Sequence, residues 1–570
     1  MTTNMPAGER HEGAGGTSST GRDGAATKSS PADRTSVADR TAVADGTLVA
    51  DRAMVARKDA GGDSEPAGTE APQTGEAWPG DPASISFWIE DAGDDLSPRP
   101  RLDGSTDADV AILGAGFTGL WTALELLKRE PSLRVVVLER EIAGFGASGR
   151  NGAWCSGELN ISMDVLAERH GPDAARAIRR TMHDTVDEVG RAAAAEGIDA
   201  GFRKGGSLIV ARGPAEEPAL RATAAEYERF GFAEHCQVLD RTALDERLRV
   251  AGAVGGVFMP DCAAIHPGRL VRGLARAVEA RGGVIHEGTA VTAFTQRGGS
   301  ATPGHGIVRT GLGRARGLRP TTAGGGEGAD RVVLHTGTGD VRAGTIVLAG
   351  EAYLAQLPRL HRQLLPIYSL IVLTEPLTDE QWAAIGWDAH ECVSSFRLTI
   401  DYLSRTPDGR ILFGGRGAPY HYGSRIQPSF DRDEATHAML RRMLVRWFPS
   451  LRGIRFTHAW GGPLGMPRDW MPTFSYDPAS GIASARGYTG HGVATSNLAG
   501  RTLADLITGR RTELTELPFV NHRSRDWEPE PLRWMGARFV QLSMMRLDRL
   551  ADRRGRPPTG RSLAERLARH

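Results

Sequence analysis

Lysine is nearly missing from this 570-residue chain: only Lys28, Lys58, Lys128 and Lys204 stand among 69 basic residues, the others being arginine. With abundant Gly and Ala, that bias points to a GC-rich coding sequence and carries no chemistry. Net charge is missing as well, because 69 acidic residues balance the basic ones. No overall field therefore draws the chain to nucleic acid. Cysteine is scarce. Cys155, Cys236, Cys262 and Cys392 are scattered and form no CxxC pair. Their spacing argues against a disulfide scaffold, a structural zinc site or an iron–sulfur cluster, and suits a reducing compartment. No metal site is expected. No run of eighteen apolar residues occurs, and the first thirty residues hold no apolar core of a signal peptide. A membrane span and signal-directed secretion are disfavoured, and a cytoplasmic protein is the expectation.

Residues 1–80 are mainly Gly, Ala, Ser, Thr, Asp and Arg with almost no aromatics, too little apolar area to fold. A disordered low-complexity tail is expected there. It contains a six-residue repeat, Asp33-Arg-Thr-Ser-Val-Ala38 followed by copies starting at Asp39, Asp45 and Asp51. One dependable apolar residue per copy cannot close a β-helix, so repeat expansion inside the tail is the preferred reading over a hexapeptide solenoid. Order is expected from Ala77-Trp78-Pro79 or Ser86-Phe87-Trp88, where aromatics begin.

The informative stretch follows. Val110-Ala111-Ile112-Leu113 suits a buried parallel strand, and Gly114-Ala115-Gly116-Phe117-Thr118-Gly119 comes at once. A helical pattern runs through Leu120, Ala123, Leu124 and Leu127. A second apolar strand, Val135-Val136-Val137-Leu138, ends on Glu139, twenty residues after Gly119. Each part has a physical role in holding a dinucleotide. Gly114 permits a tight turn, Gly116 lets backbone approach a pyrophosphate, and Gly119 lets the helix sit against the sheet. First-turn amides face the phosphates, and Glu139 can accept hydrogen bonds from ribose hydroxyls. Directly beyond lies a glycine-dense loop, Gly144-Phe-Gly-Ala147-Ser148-Gly149-Arg150-Asn151-Gly152, fit to cradle a flat ligand.

Periodicity predicts helices over 161–197, 216–230 and 435–448, a strand over 205–210 and a bent hairpin over 254–261. His266-Pro267-Gly268-Arg269 opens a helix with proline in its first turn. Residues 284–285 and 289–294 read as strands returning to the first sheet, and 297–330 as a flexible insertion. Residues 345–348 form an apolar strand ending in Ala349-Gly350, which can bring backbone near a cofactor. Residues 364–373 suit a central strand of a second sheet. Residues 396–402 and 410–413 flank the turn Thr406-Pro407-Asp408-Gly409 and read as a hairpin. Trp460-Gly461-Gly462-Pro463 leads into a loop. Gly487-Tyr488-Thr489-Gly490-His491-Gly492-Val493 then opens a last Gly-rich helix start, where His491 is a candidate catalyst or a helix-start hydrogen-bonding residue. Residues 521–570 hold twelve Arg against six acids, a net of +6. The helix at 532–550 reads as a terminal helix with a solvated basic face; peripheral membrane contact through 532–556 is the rival reading.

These motifs resemble the FAD-dependent amine and amino-acid oxidoreductases of the D-amino-acid oxidase and glycine oxidase superfamily, nearest the γ-glutamylputrescine oxidoreductase branch. The resemblance covers roughly residues 85–515. It implies an α/β fold: a discontinuous Rossmann-like FAD-binding domain from 85–160, 260–355 and 455–515, with a second α+β substrate domain on a mixed sheet from 161–259 and 356–454. Residues 516–570 remain a basic helical extension. It implies that Glu139, beside Arg140, holds the adenosine ribose, that the Val291 backbone meets the adenine, and that 148–152 and 490–493 lie near the isoalloxazine. It further implies oxidation of a C–N bond by hydride transfer to flavin N5, giving an imine that hydrolyses, with reoxidation by O₂ or another acceptor.

Two departures shape the expectation. Relatives that attach FAD covalently use a Cys in the loop that here reads Gly465-Met466-Pro467-Arg468-Asp469-Trp470, so non-covalent FAD is expected. The carboxylate-binding Lys of some relatives is replaced by Ala494. A substrate carboxylate would then need Arg397 or Arg416, with Tyr402 as aromatic cover; the alternative is an amine substrate without an α-carboxylate, such as a polyamine derivative. An NAD-linked dehydrogenase and a non-catalytic flavin-binding scaffold protein are the competing readings.

Overall fold

A computed structural model describes residues 80–297, 331–415, 420–555, 557 and 562–568. The N-terminal repeat, residues 298–330 and Arg416 lie outside the described residues. The protein is a mixed α/β fold built on two large sheets.

The first sheet has six strands in the order Thr473–Asp477, Ile482–Arg486, Thr345–Leu348, Val110–Leu113, Val135–Leu138 and Val284–His286. All pairs are parallel except Thr473–Asp477 with Ile482–Arg486. Val110–Leu113 and Val135–Leu138 are apolar at every position because parallel strands are covered on both faces. The helices Phe117–Arg129 and Gly492–Thr508 pack against each other on this sheet. They cross closely because Gly500 faces Trp121; a Cβ there would stand 2.6 Å from the tryptophan Cβ.

The second sheet has eight strands in the order Phe456–Met466, Leu365–Thr374, Ile411–Gly415, Asp401–Arg405, Cys392–Ser395, Ser207–Ala211, Gly255–Met259 and Gln237–Asp240. Cys392–Ser395 and Ser207–Ala211 run parallel and the other neighbours antiparallel. A core rich in aromatics, including Trp382, Trp387, Trp447 and Phe448, packs it against the Glu434–Trp447 helix.

Several segments differ from the sequence reading. Residues 254–261 are not a hairpin: Gly255–Met259 joins the eight-stranded sheet, and Cys262–Ala264 leaves it to pair with Trp154–Ser156. Val291–Thr295 belongs, with Val332–Thr336, to a separate four-stranded sheet, whereas 289–294 was expected to return to the first one. Leu365–Thr374 is next to the edge of its sheet, not central, because Phe456–Met466, which contains Trp460-Gly-Gly-Pro463, forms the edge strand beside it. That strand was expected among the cofactor-binding segments. The hairpin arm expected over 396–402 starts only at Asp401 and runs to Arg405.

The helix Leu532–Arg554 docks by its buried Arg533 and Asp548. Asp548 accepts the N–H groups of Leu398 and Thr399 at 3.0 and 2.9 Å. Glu530, just before the helix, accepts from the Tyr420 hydroxyl at 2.6 Å and the Gly423 N–H at 2.9 Å. Leu532, Met535, Phe539 and Leu542 are exposed. Among the described residues no helix is long and apolar enough to cross a membrane.

Candidate active site

The turn after Val110–Leu113 takes the shape its glycines permit. Gly114 has φ +101°, a conformation costly for other residues. A Cβ on Gly119 would lie 1.9 Å from the Gly114 carbonyl oxygen, so the helix meets the strand end only with hydrogen there. The N-cap, Gly116, offers no side chain; the Phe117 N–H instead donates to Ser148 Oγ at 2.8 Å. The second glycine-dense loop thus folds back on the first. Glu139 accepts N–H bonds from Ala115 at 2.9 Å and Glu141 at 3.1 Å. Burial nevertheless holds its carboxyl above the ordinary value.

The last Gly-rich turn arrives at the same place. Thr118 Oγ1 and Tyr488 Oη are 2.8 Å apart. Glu351, which follows the strand Thr345–Leu348 and Gly350, accepts the Gly487 N–H at 2.9 Å and the Tyr488 N–H at 3.4 Å. Burial pushes this carboxyl up to about 7, against those backbone donors. Gly490 has φ +104°, and the Gly492–Thr508 helix starts at His491 without a side-chain cap.

These turns enclose a cavity of about 540 Å³, a size typical of small-molecule and cofactor sites. Gly114, Gly116, Phe117, Thr118, Glu139, Arg140, Ala147, Ser148, Arg150, Asn151, Gly152, Val291, Gly350, Gly490, Gly492 and Val493 line it, as do His491 and Tyr402. Ala115, Gly119 and Gly149 lie behind that wall. Ala115 donates to Glu139, and a Cβ on Gly149 would lie 2.4 Å from the Gly144 carbonyl oxygen. The arrangement fits a dinucleotide. Two helix starts without side-chain caps favour anionic phosphate, and a carboxylate stands at the end of the second strand.

The eight-stranded sheet supplies the opposite wall. The Tyr402 ring lies between Gly152 and Gly414, where a Cβ would approach within 2.4 and 2.2 Å of it. Its hydroxyl is 2.9 Å from Ser369 Oγ. Asp401 also lines this side, and Glu158 lines the cavity. Glu158 is engaged by Arg179 and by the Tyr227 hydroxyl, and Asp401 accepts from Ser395 Oγ at 2.6 Å.

Arg397, expected to meet a substrate carboxylate, does not line the cavity. It faces the C-terminal helix instead, 3.1 Å from Asp552 and 3.7 Å from Asp548. Its partners lie some 150 residues downstream, beyond the reach of local pattern. The sequence reading did not single out Glu158, Ser369, Glu351, Asp401 or Tyr488 as site residues. For Glu351 a signal existed, since it directly follows Gly350; Tyr488 stood inside a motif already quoted.

The profile of the DAO family, described as FAD dependent oxidoreductase, matches residues 109–506. γ-Glutamylputrescine oxidoreductase of Escherichia coli K12 is 29% identical over 454 residues, covering 78% of this chain and 95% of the relative. A probable oxidoreductase, OrdL, of Haemophilus influenzae is 27% identical, covering 74% of this chain and 88% of the relative. Among solved structures, glycine oxidase from Geobacillus kaustophilus aligns with TM-score 0.55 at 22% identity, over 73% of this chain and all of the other, and shares the fold. Together with a cavity framed by two glycine-rich helix starts and a strand-end carboxylate, the match places this chain in the DAO family of FAD-dependent oxidoreductases, enzymes that act on amine or amino-acid substrates.

Proposed function

We propose that the protein oxidises the C–N bond of a small amine that lacks an α-carboxylate, using non-covalently held FAD. One observation carries the substrate reading. Among the described residues, the cations lining the cavity are Arg140 and Arg150, both on the loops next to the dinucleotide motif. Arg397 is taken up by the C-terminal helix. The opposite wall carries the carboxylate Asp401 and the hydroxyls of Ser369, Ser394 and Ser395, and Glu158, paired with Arg179, also lines the cavity. Such a wall favours a cationic, hydroxyl-compatible chain over a carboxylate. The E. coli relative is named for γ-glutamylputrescine, whose putrescine end is a primary amine with no adjacent carboxylate, in keeping with this class.

In this reading the six-stranded sheet presents the cofactor. The Gly114–Gly119 turn would hold its pyrophosphate, the start of the Gly492–Thr508 helix would lie near its isoalloxazine, and Glu139 would accept from ribose hydroxyls. The absence of Cys from residues 465–470 supports non-covalent attachment. When bound, FAD would supply the hydride acceptor for this chemistry. Tyr402, fixed by Ser369 and packed between two glycines, limits how far a substrate can turn and keeps water from that wall. His491 stands at the cavity edge as the candidate proton-handling group. The four cysteines are free and buried, in keeping with a cytoplasmic setting.

The test is an absorbance spectrum followed by anaerobic addition of γ-glutamylputrescine, putrescine, sarcosine, glycine and D-amino acids. Flavin bands released by acid and bleached by γ-glutamylputrescine or putrescine, whose terminal amines stand on carbons without a carboxylate, are expected. Bleaching by amino acids alone would overturn the substrate class and retain the cofactor.

A further inference from the structure

Away from the cavity, three elements distant in sequence converge. His183 lies on the helix Pro172–Ala195, His235 ends the short turn Ala233–His235, and Asp261 follows the strand Gly255–Met259. One ligand atom from each lies within 4.8 Å of the others. Asp261 Oδ2 is 2.5 Å from His235 Nδ1 and 3.3 Å from His183 Nδ1. The imidazole centroids are 4.6 Å apart, and the Phe232 ring meets both edge-on.

We propose that His183, His235 and Asp261 form a binding site for a divalent transition-metal ion of the zinc class. Two imidazoles and one carboxylate match the donor preference of Zn²⁺ and its neighbours rather than of Ca²⁺ or Mg²⁺, which take oxygen shells. Three protein ligands leave a position for water. The surroundings hold the Asp261 and His183 segments together. The Asp261 carbonyl accepts the Gly157 N–H at 2.8 Å, and a Cβ on Gly157 would come within 2.9 Å of His183. Lys204 Nζ stands 3.8 Å from the other Asp261 oxygen, which leaves Oδ2 to face the imidazoles. The His235 side chain is 30% exposed against 6% for His183, so an ion enters over His235. Ser156 and Glu158, on either side of Gly157, line the cavity. The ion would therefore pin the helix and two turns behind the cavity wall.

The experiment uses flavin-loaded full chain, stripped with chelator, then titrated with Zn²⁺ by calorimetry and by metal analysis after desalting. One ion per chain is expected, with a raised Tm and an unchanged flavin spectrum. Excess Ca²⁺ or Mg²⁺ is expected not to displace it. Asp261→Asn should abolish binding, and His235→Gln should weaken it by at least ~10-fold. His235 sits at the solvent edge, so its variant remains informative if Asp261→Asn fails to fold. Binding well below one ion, or binding unchanged in His235→Gln that retains flavin, would overturn the proposal and leave a hydrogen-bonded His–Asp–His cluster. Neither outcome bears on the amine assignment, which is read from flavin bleaching.

Discussion

Thr118 Oγ1 and Tyr488 Oη meet at 2.8 Å, joining the first and last glycine-rich turns across 370 residues of chain. Tyr488→Phe removes this bond and little else. A net loss of about 1 kcal/mol corresponds to roughly fivefold weaker FAD binding. Titration of the apoprotein by flavin fluorescence measures it. Unchanged affinity would show that the tie serves the turns alone.

Glu139 is the only predicted cofactor residue with a charge suited to hydroxyl donors. Hydrogen bonds to charged groups contribute about 1.5–3 kcal/mol, so Glu139→Ala should weaken FAD by about 10- to 100-fold. The check is the flavin-to-protein absorbance ratio after gel filtration. Full retention would remove Glu139 from the binding site.

Gly119→Ala sets a methyl against the Gly114 carbonyl oxygen, 1.9 Å from an ideal Cβ. Overpacking of this kind costs about 1–3 kcal/mol or more, so both Tm and FAD content should fall. Gly536→Ala is the contrasting variant. A Cβ there meets nothing within 4 Å, and it lies in a helix, so stability should rise by about 1 kcal/mol. Equal melting temperatures for the two would refute the steric reading.

Glu351 gives stability a pH dependence. Its carboxyl sits at about 7 in the fold against an ordinary 4.5. Between those values the folded chain holds a proton that the unfolded chain has lost. The contribution is complete below pH 4.5 and disappears as pH rises through about 7. Tm of the apoprotein should fall over that window, and Glu351→Gln should flatten the slope. A wild-type slope identical to that of the variant would discount the group.

Arg397→Ala should leave KM for the amine within about twofold, because the guanidinium serves the C-terminal helix. Partly exposed ion pairs contribute about 0–1 kcal/mol, so global Tm should barely move while proteolysis near 532–554 speeds up. A tenfold rise in KM would return Arg397 to the substrate.

The parts legible in sequence are those governed by neighbours in the chain. Val110–Leu113, the Gly114 turn and the helix after His266 each follow from a few adjacent residues. The strand through Trp460-Gly-Gly-Pro463 was not legible because two glycines and a proline are poor strand formers. It arises from pairing with Leu365–Thr374, with Pro463 opposite Tyr368 on an edge strand, where a missing N–H is tolerated. Alternation at 291–295 announces a strand and cannot name its sheet. Arg397 and the His183–His235–Asp261 cluster depend on partners that no fixed spacing marks.

The two clamps made by Glu530 and Asp548 give the end of the chain an assembly role. Glu530 fastens Tyr420 and Gly423, and Asp548 fastens Leu398 and Thr399, just ahead of cavity residues Ile400 to Tyr402. Every strand around the cavity is synthesised before either carboxylate. The wall formed by the eight-stranded sheet is therefore braced by carboxylates synthesised after all of its strands. A chain stopped ahead of Glu530 would keep all the strands of both sheets and lose the fastening of the wall.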